Sequence, residues 1–124
     1  MPISFHRLAQ VSAIICIGLA VVWIGAPQWL LTLWGMDSPA PAVMVARRGG
    51  ALFLGLATML FMLRHAGKSR ERDAVSLGMA VACTALAALG LHEWISLRAG
   101  NAIWLAILTE IPLAAAFFRA VYAD

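Results

Sequence analysis

AIWLAILTEIPLAAAFFRAV, Ala102 to Val121, carries one acidic side chain, Glu110, and one basic side chain, Arg119, close to its end. About 20 mostly apolar residues suffice for a helix to cross the hydrocarbon of a bilayer. The stretch reads as a membrane span. An ionisable side chain inside such a span is costly, so Glu110 marks either a functional group or half of a structural pair.

Working outward, three more apolar runs follow the same pattern: Leu8 to Ile24, Ala40 to Leu63 and Ala74 to Trp94. The whole chain agrees, with 63% hydrophobic residues, 12% charged residues and a mean hydropathy of +0.88, a balance foreign to soluble domains. Its 124 residues hold four spans, short connections and no separate soluble domain. The expected fold is all-α: a polytopic membrane four-helix bundle, a single transmembrane domain over residues 1–124. His6 and Arg7 before the first apolar run also resemble the start of a signal peptide, but Pro27 follows the Gly25 and Ala26 cleavage candidate and the apolar core is long, so the run is read as retained.

Between the first two spans lies Pro27 to Met36. There Trp29, Leu30, Leu33 and Trp34 recur at helical spacing over too short a length to cross, which predicts an interfacial helix. Pro39 and Pro41 open the second span; Gly67 and the charged run Arg64 to Asp73 close it. Gly100 and Asn101 separate spans three and four.

Arginine and lysine resist translocation, which sets the expected orientation. Arg64, Lys68, Arg70 and Arg72 crowd the loop between spans two and three, so that loop is placed in the cytoplasm and both termini with it (N-in, C-in). Arg7 and Arg119 then also lie inside, Arg98 outside, and Trp23, Trp29, Trp34, Trp94 and Trp104 all map to the outer interface. The net charge of +3 is spent on this topology, which argues against nucleic acid as a partner and for membrane lipids.

Helical rise places Glu110 about 12 Å below the outer end of span four and Arg47 about 10 Å below that of span two. These similar depths predict an ion pair between Arg47 and Glu110, leaving Arg48 to reach outer headgroups or a ligand. Arg47, Gly50, Leu54 and Thr58 form one helix face; Arg48, Ala51, Gly55 and Met59 form the next. Gly49 and Gly50 bare the backbone beside the arginines, and Pro112 frees the Leu108 carbonyl near Glu110. A polar pocket results, with Arg47, Arg48 and Glu110 inside and His92, Glu93 and Trp94 at its rim. The competing reading is an ion pair that fixes helix register.

Other candidates carry less chemistry. Cys16 and Cys83 lack the C-x-x-C spacing of a thiol oxidoreductase and read as small core residues. His6 and His65 fall at one face and His92 at the other, so no metal site is assembled from them. The methionines read as adaptable packing, no cofactor is expected and no catalytic motif is present. Gly78, Ala82 and Ala85, with Ala80, Thr84, Ala87 and Ala88 nearby, allow close helix contact, inside one bundle or across a homo-oligomer seam.

The four spans, the run Arg47, Arg48, Gly49, Gly50 and Gly55 early in span two, and the acidic residue in the last span resemble the small bacterial DoxX-like membrane proteins. That resemblance implies a compact four-helix bundle in the bacterial inner membrane and suggests no settled reaction. Three classes of function stand open. The leading expectation is a non-enzymatic protein binding a small amphiphilic or anionic molecule, a lipid or a quinone-like compound, in an outward-facing intramembrane pocket. The alternatives are a structural or assembly subunit of a larger membrane complex, and a proton-coupled transporter that uses Glu110.

Overall fold

The computed structural model describes residues 4–37 and 39–122. Within them lie five helices: α1 (Phe5–Gly25), α2 (Pro27–Leu33), α3 (Ala40–Leu63), α4 (Arg70–Ile95) and α5 (Ile103–Tyr122). No strand occurs among the described residues. α1, α3, α4 and α5 are each long and apolar enough to cross a membrane, which makes the chain a multi-pass membrane protein.

Helix ends follow the local chemistry. Ser4 caps α1 by accepting the Arg7 amide at 3.3 Å, so the first helix begins three residues before its apolar run. Ser69 caps α4 through the Arg72 amide at 3.2 Å, and Glu71 and Asp73 complement the positive end of the dipole. The cap draws the charged turn Arg70 to Asp73 into the helix, ahead of the expected start at Ala74. α2 is the short helix expected after the first span; Pro27 and Leu30 are buried while Trp29 stays exposed. α5 runs unbroken through Pro112.

The bundle is built from two antiparallel pairs, α1 on α3 and α4 on α5. Gly50 sets the first: a Cβ there would lie 2.9 Å from both Trp23 Cβ and Ile24 Cγ1, so only glycine permits this approach. Gly90 sets the second, facing Ile103 and Ile107. The pairs share a core in which Phe5, Leu8, Ala9, Ala13 and Cys16 meet Ala57, Leu60, Met79, Ala80, Phe117 and Ala120. Leu60 and Phe117 are fully buried at its centre.

The inward stripe of α3 is Gly50, Phe53, Ala57 and Leu60. Neither arginine-bearing face matches it: Leu54, Thr58, Gly55 and Met59 are all exposed. On α4, Ser76, Ala80, Cys83 and Ala87 turn inward, whereas Gly78, Ala82 and Ala85 face out, together with Thr84 and Ala88. The expected small-residue contact inside the bundle is therefore made by the neighbouring stripe.

The two ends differ in chemistry. At one end the His6 and His65 rings stack at 4.5 Å and His6 Nδ1 lies 3.0 Å from the Arg64 carbonyl oxygen. The Arg72 guanidinium sits 4.1 Å above the Phe5 ring. Lys68 Nζ donates to Asp73 Oδ1 at 2.7 Å and to the carbonyls of Ala120 and Val121 at 2.9 and 2.7 Å, clasping the last turn of α5. At the other end Trp23 meets Trp34, and Trp94 meets Trp104, both edge to face at 5.3 Å. There the Gly100 amide donates to the Trp34 carbonyl at 2.6 Å, linking the two pairs.

Candidate functional site

Arg47 and Arg48 lie in the third turn of α3, one turn beyond the point where Gly50 touches Trp23 and Ile24. α1 ends at Gly25, so its cover is gone at the arginines' level. Both side chains are exposed and line an open groove of about 510 Å³ with Gln28 of α2 and Ala40, Val43 and Met44 of α3. Neither has a hydrogen bond, ion pair or ring contact among the described residues. The groove thus offers two guanidinium groups, one side-chain amide and an apolar flank. At its top, α3 starts from Pro39 without a side-chain cap, leaving first-turn amides and the positive end of the helix dipole on the same side.

The expected pairing of Arg47 with Glu110 does not form among the described residues. The physical reason is depth. Trp23 is level with Gly50 and rests on Trp34, whose carbonyl receives the Gly100 amide, so α5 begins near that level. Glu110 is seven residues beyond Ile103, roughly 10 Å further along, while Arg47 is three residues before Gly50, roughly 5 Å in the opposite direction. Counting each residue from its own helix start hid this offset, because α3 starts higher than α5. The two helices also pack on different partners, α3 on α1 and α5 on α4.

Glu110 is half-buried, on the helical stripe of α5 that carries the buried Ile103, Ile107, Ala114 and Phe117. Gly90 faces Ile103 and Ile107, so the antiparallel register brings Cys83, seven residues earlier, opposite Glu110 to Ala114. Cys83 lies within electrostatic reach of both Glu110 and Cys16. Both cysteines are buried free thiols. Glu110 makes no hydrogen bond or ion pair among the described residues.

The expected rim residues form a third, separate group. Glu93 pairs with Arg98 across 2.6 Å, and this contact raises the guanidinium pKa further above its usual value. Trp94 Nε1 donates to Asn101 Oδ1 at 2.9 Å, and His92 is exposed on the last turn of α4. Glu93 and Trp94 thus shape the α4–α5 connection and take no part in the arginine groove. Of the six residues expected to share one pocket, the structure brings together Arg47 and Arg48.

Gln28 is the polar member of the groove that the sequence analysis does not single out, and Ala40, Val43 and Met44 are its apolar ones. A polar residue in the otherwise apolar segment PQWLLTLW was the available signal, but only packing shows that it faces Arg47 and Arg48. Comparison with family models, with curated proteins and with solved structures yields no match for this chain.

Proposed function

We propose that the protein binds an anionic amphiphile, with the acidic headgroup on Arg47, Arg48 and Gln28 and the apolar part against Val43 and Met44. The observation that carries this reading is the pair of arginines, without an acidic partner among the described residues, lining a groove where α1 has ended. Two adjacent guanidinium groups inside an apolar span are costly unless a counter-charge meets them. Guanidinium suits phosphate and carboxylate because its fork of donors matches their oxygens. In this reading the basic end faces the cytoplasm, with both termini inside, and the groove opens to the outer leaflet. The likeness to the DoxX-like proteins adds the bacterial inner membrane as its location.

Native mass spectrometry of the gently solubilised protein tests the reading. The wild type is expected to carry an anionic amphiphile, Arg47→Ala/Arg48→Ala to lose it, and Glu110→Gln to keep it. A bare wild-type protein, or equal retention in the double variant, overturns the proposal.

A second reading has its own support. Gly78, Ala82 and Ala85 stand exposed along α4, with open space around the Gly78 Cβ position. A small-residue face of this kind suits another transmembrane helix, as in a homo-oligomer or a larger complex. Its signature in the same measurement is a protein assembly unaffected by the arginine substitutions.

A further inference from the structure

Two other cations of this chain meet its own acids: Arg98 pairs with Glu93 at 2.6 Å and Lys68 with Asp73 at 2.7 Å. Arg47 and Arg48 have no hydrogen bond or ion pair among the described residues. Only one of the six acidic residues precedes Arg70 in the chain, Asp37 in the connection before α3. Asp37 is exposed and does not line the groove, and the first residue of α3 is already about 10 Å from Arg47 along the helix. α2 has no titratable side chain; those of α1 are His6 and Arg7 in its first turn and Cys16 in its middle, all away from the groove. A ligand there faces two positive charges with no carboxylate to share them.

Side-chain hydrogen-bonding groups in the groove are almost all donors. Each guanidinium carries five N–H groups and no acceptor, and the Gln28 amide adds two donors and one acceptor oxygen. The remaining lining, Ala40, Val43 and Met44, is apolar. The five lining residues of α3 recur at i, i+3, i+4, i+7 and i+8, so donors and apolar side chains share one helix face. Such a surface suits a headgroup made of acceptors. A phosphate monoester has three terminal oxygens and a charge of about −1.5 to −2 at neutral pH, its second proton leaving near pH 6. A phosphodiester has two free oxygens and a single charge, and the ammonium or hydroxyl groups it carries would find one side-chain acceptor here, the Gln28 oxygen.

We infer that the groove selects a lipid ending in a phosphate monoester over phosphodiester lipids, which rests on the groove binding an anionic amphiphile at all. The two guanidinium forks meet the dianion, whose charge matches theirs, and Gln28 donates to a further phosphate oxygen. The apolar flank leaves the hydroxyl or ammonium of a larger headgroup without partners, and an unpartnered polar group displaced from water is costly.

Lipid competition tests it. Full-length protein in detergent micelles receives equal amounts of dioleoyl phosphatidic acid and dioleoyl phosphatidylglycerol, which share their chains and differ in headgroup. Native mass spectrometry then counts each lipid on the protein from about pH 5.5 to about pH 8. At the upper end the wild type is expected to hold phosphatidic acid about tenfold more tightly, the worth of one further charge-assisted hydrogen bond. The ratio falls toward one as pH drops through about 6, because the monoester regains its second proton while arginine and the diester keep their charges. Arg48→Gln removes most of the preference and Arg47→Gln/Arg48→Gln all of it; both side chains are exposed, so neither substitution opens the core. Inorganic phosphate at the same concentration leaves the bound lipid in place. Equal retention of the two lipids by the wild type overturns the headgroup assignment and leaves the anionic-amphiphile reading standing. A preference that survives in the double variant overturns it as well, by placing the monoester on other basic side chains such as Lys68 and Arg70, and displacement by inorganic phosphate overturns the choice of a lipid. A wild type that binds neither lipid overturns the reading of the groove itself.

Discussion

Leu97 shows how one residue can sit against its own backbone. The end of α4 is a Schellman arrangement: the Arg98 amide donates to the Glu93 carbonyl at 2.9 Å and the Leu97 amide to that of Trp94 at 3.1 Å. This places Leu97 at φ 61°, a left-handed conformation that costs a residue with a Cβ about 1–2 kcal/mol. α2 ends on the same pattern with Gly35 at φ 74°, the residue the geometry favours. Leu97 is 92% exposed and gives up no packing when truncated. Leu97→Gly is therefore expected to stabilise the protein by roughly 0.5–1 kcal/mol after the entropy of glycine is subtracted, seen as a higher unfolding midpoint in micelles. The neighbouring glycines of α3 give an opposite contrast. Gly50→Ala forces a methyl onto Trp23 and Ile24 and is expected to lose about 1–3 kcal/mol, whereas Gly49 has open space around its Cβ position. Gly49→Ala should stay neutral or gain up to about 1 kcal/mol from helix propensity in the same assay. Sequence reading recognised both glycines as openings in the helix surface; only the α1 contact separates the one that packs from the one that does not.

At the scale of elements, α5 depends on a side chain from a distant loop. Its last carbonyls have no helical partners, and Lys68 Nζ supplies hydrogen bonds to Ala120 and Val121 while pairing with Asp73. Lysine near a helix C-terminus also opposes the negative end of the dipole. Lys68→Met should fray the last turn of α5, with faster amide exchange near Ala120 and a stability loss of roughly 0.5–1.5 kcal/mol. Unchanged protection there would show that the clasp holds nothing. α3 teaches a related lesson about faces. Its composition is apolar almost all round, so no hydrophobic stripe could announce which side packs; small size at Gly50 and Ala57 decided it. Periodicity finds a helix in lipid readily and orients it poorly, because lipid tails are as apolar as the core.

For the whole molecule the same equality of lipid and core changes the energetics. Phe117 is fully buried where all four long helices meet, yet moving it into lipid loses little transfer energy. The expected cost of Phe117→Ala is then mainly the cavity: roughly 100 Å³ vacated at about 24 cal/mol per Å³, or roughly 2–3 kcal/mol. Reversible unfolding in bicelles measures it. A loss well below 1 kcal/mol would mean that the helices close over the space. The two antiparallel pairs meet through this core and through the Gly100–Trp34 hydrogen bond, so their relative height is a tertiary property. That height separates Arg47 from Glu110 and leaves each with a different environment, a lateral groove for the arginine and a half-buried position on α5 for the acid.

Length and apolar content determined the four spans and the short helix after the first, because a bilayer needs about 20 residues to cross and the Pro27 segment is too short. They also marked Arg47, Arg48 and Glu110 as the side chains to watch, since charge inside an apolar run stands out on any hydropathy scale. Relative depth and facing direction were decided by tertiary structure alone. The start of each helix in the chain carries no information about its height in the bundle. Close approaches at Gly50 and Gly90, the clasp of Lys68 and the Gly100 link set those heights, and through them which polar groups can meet.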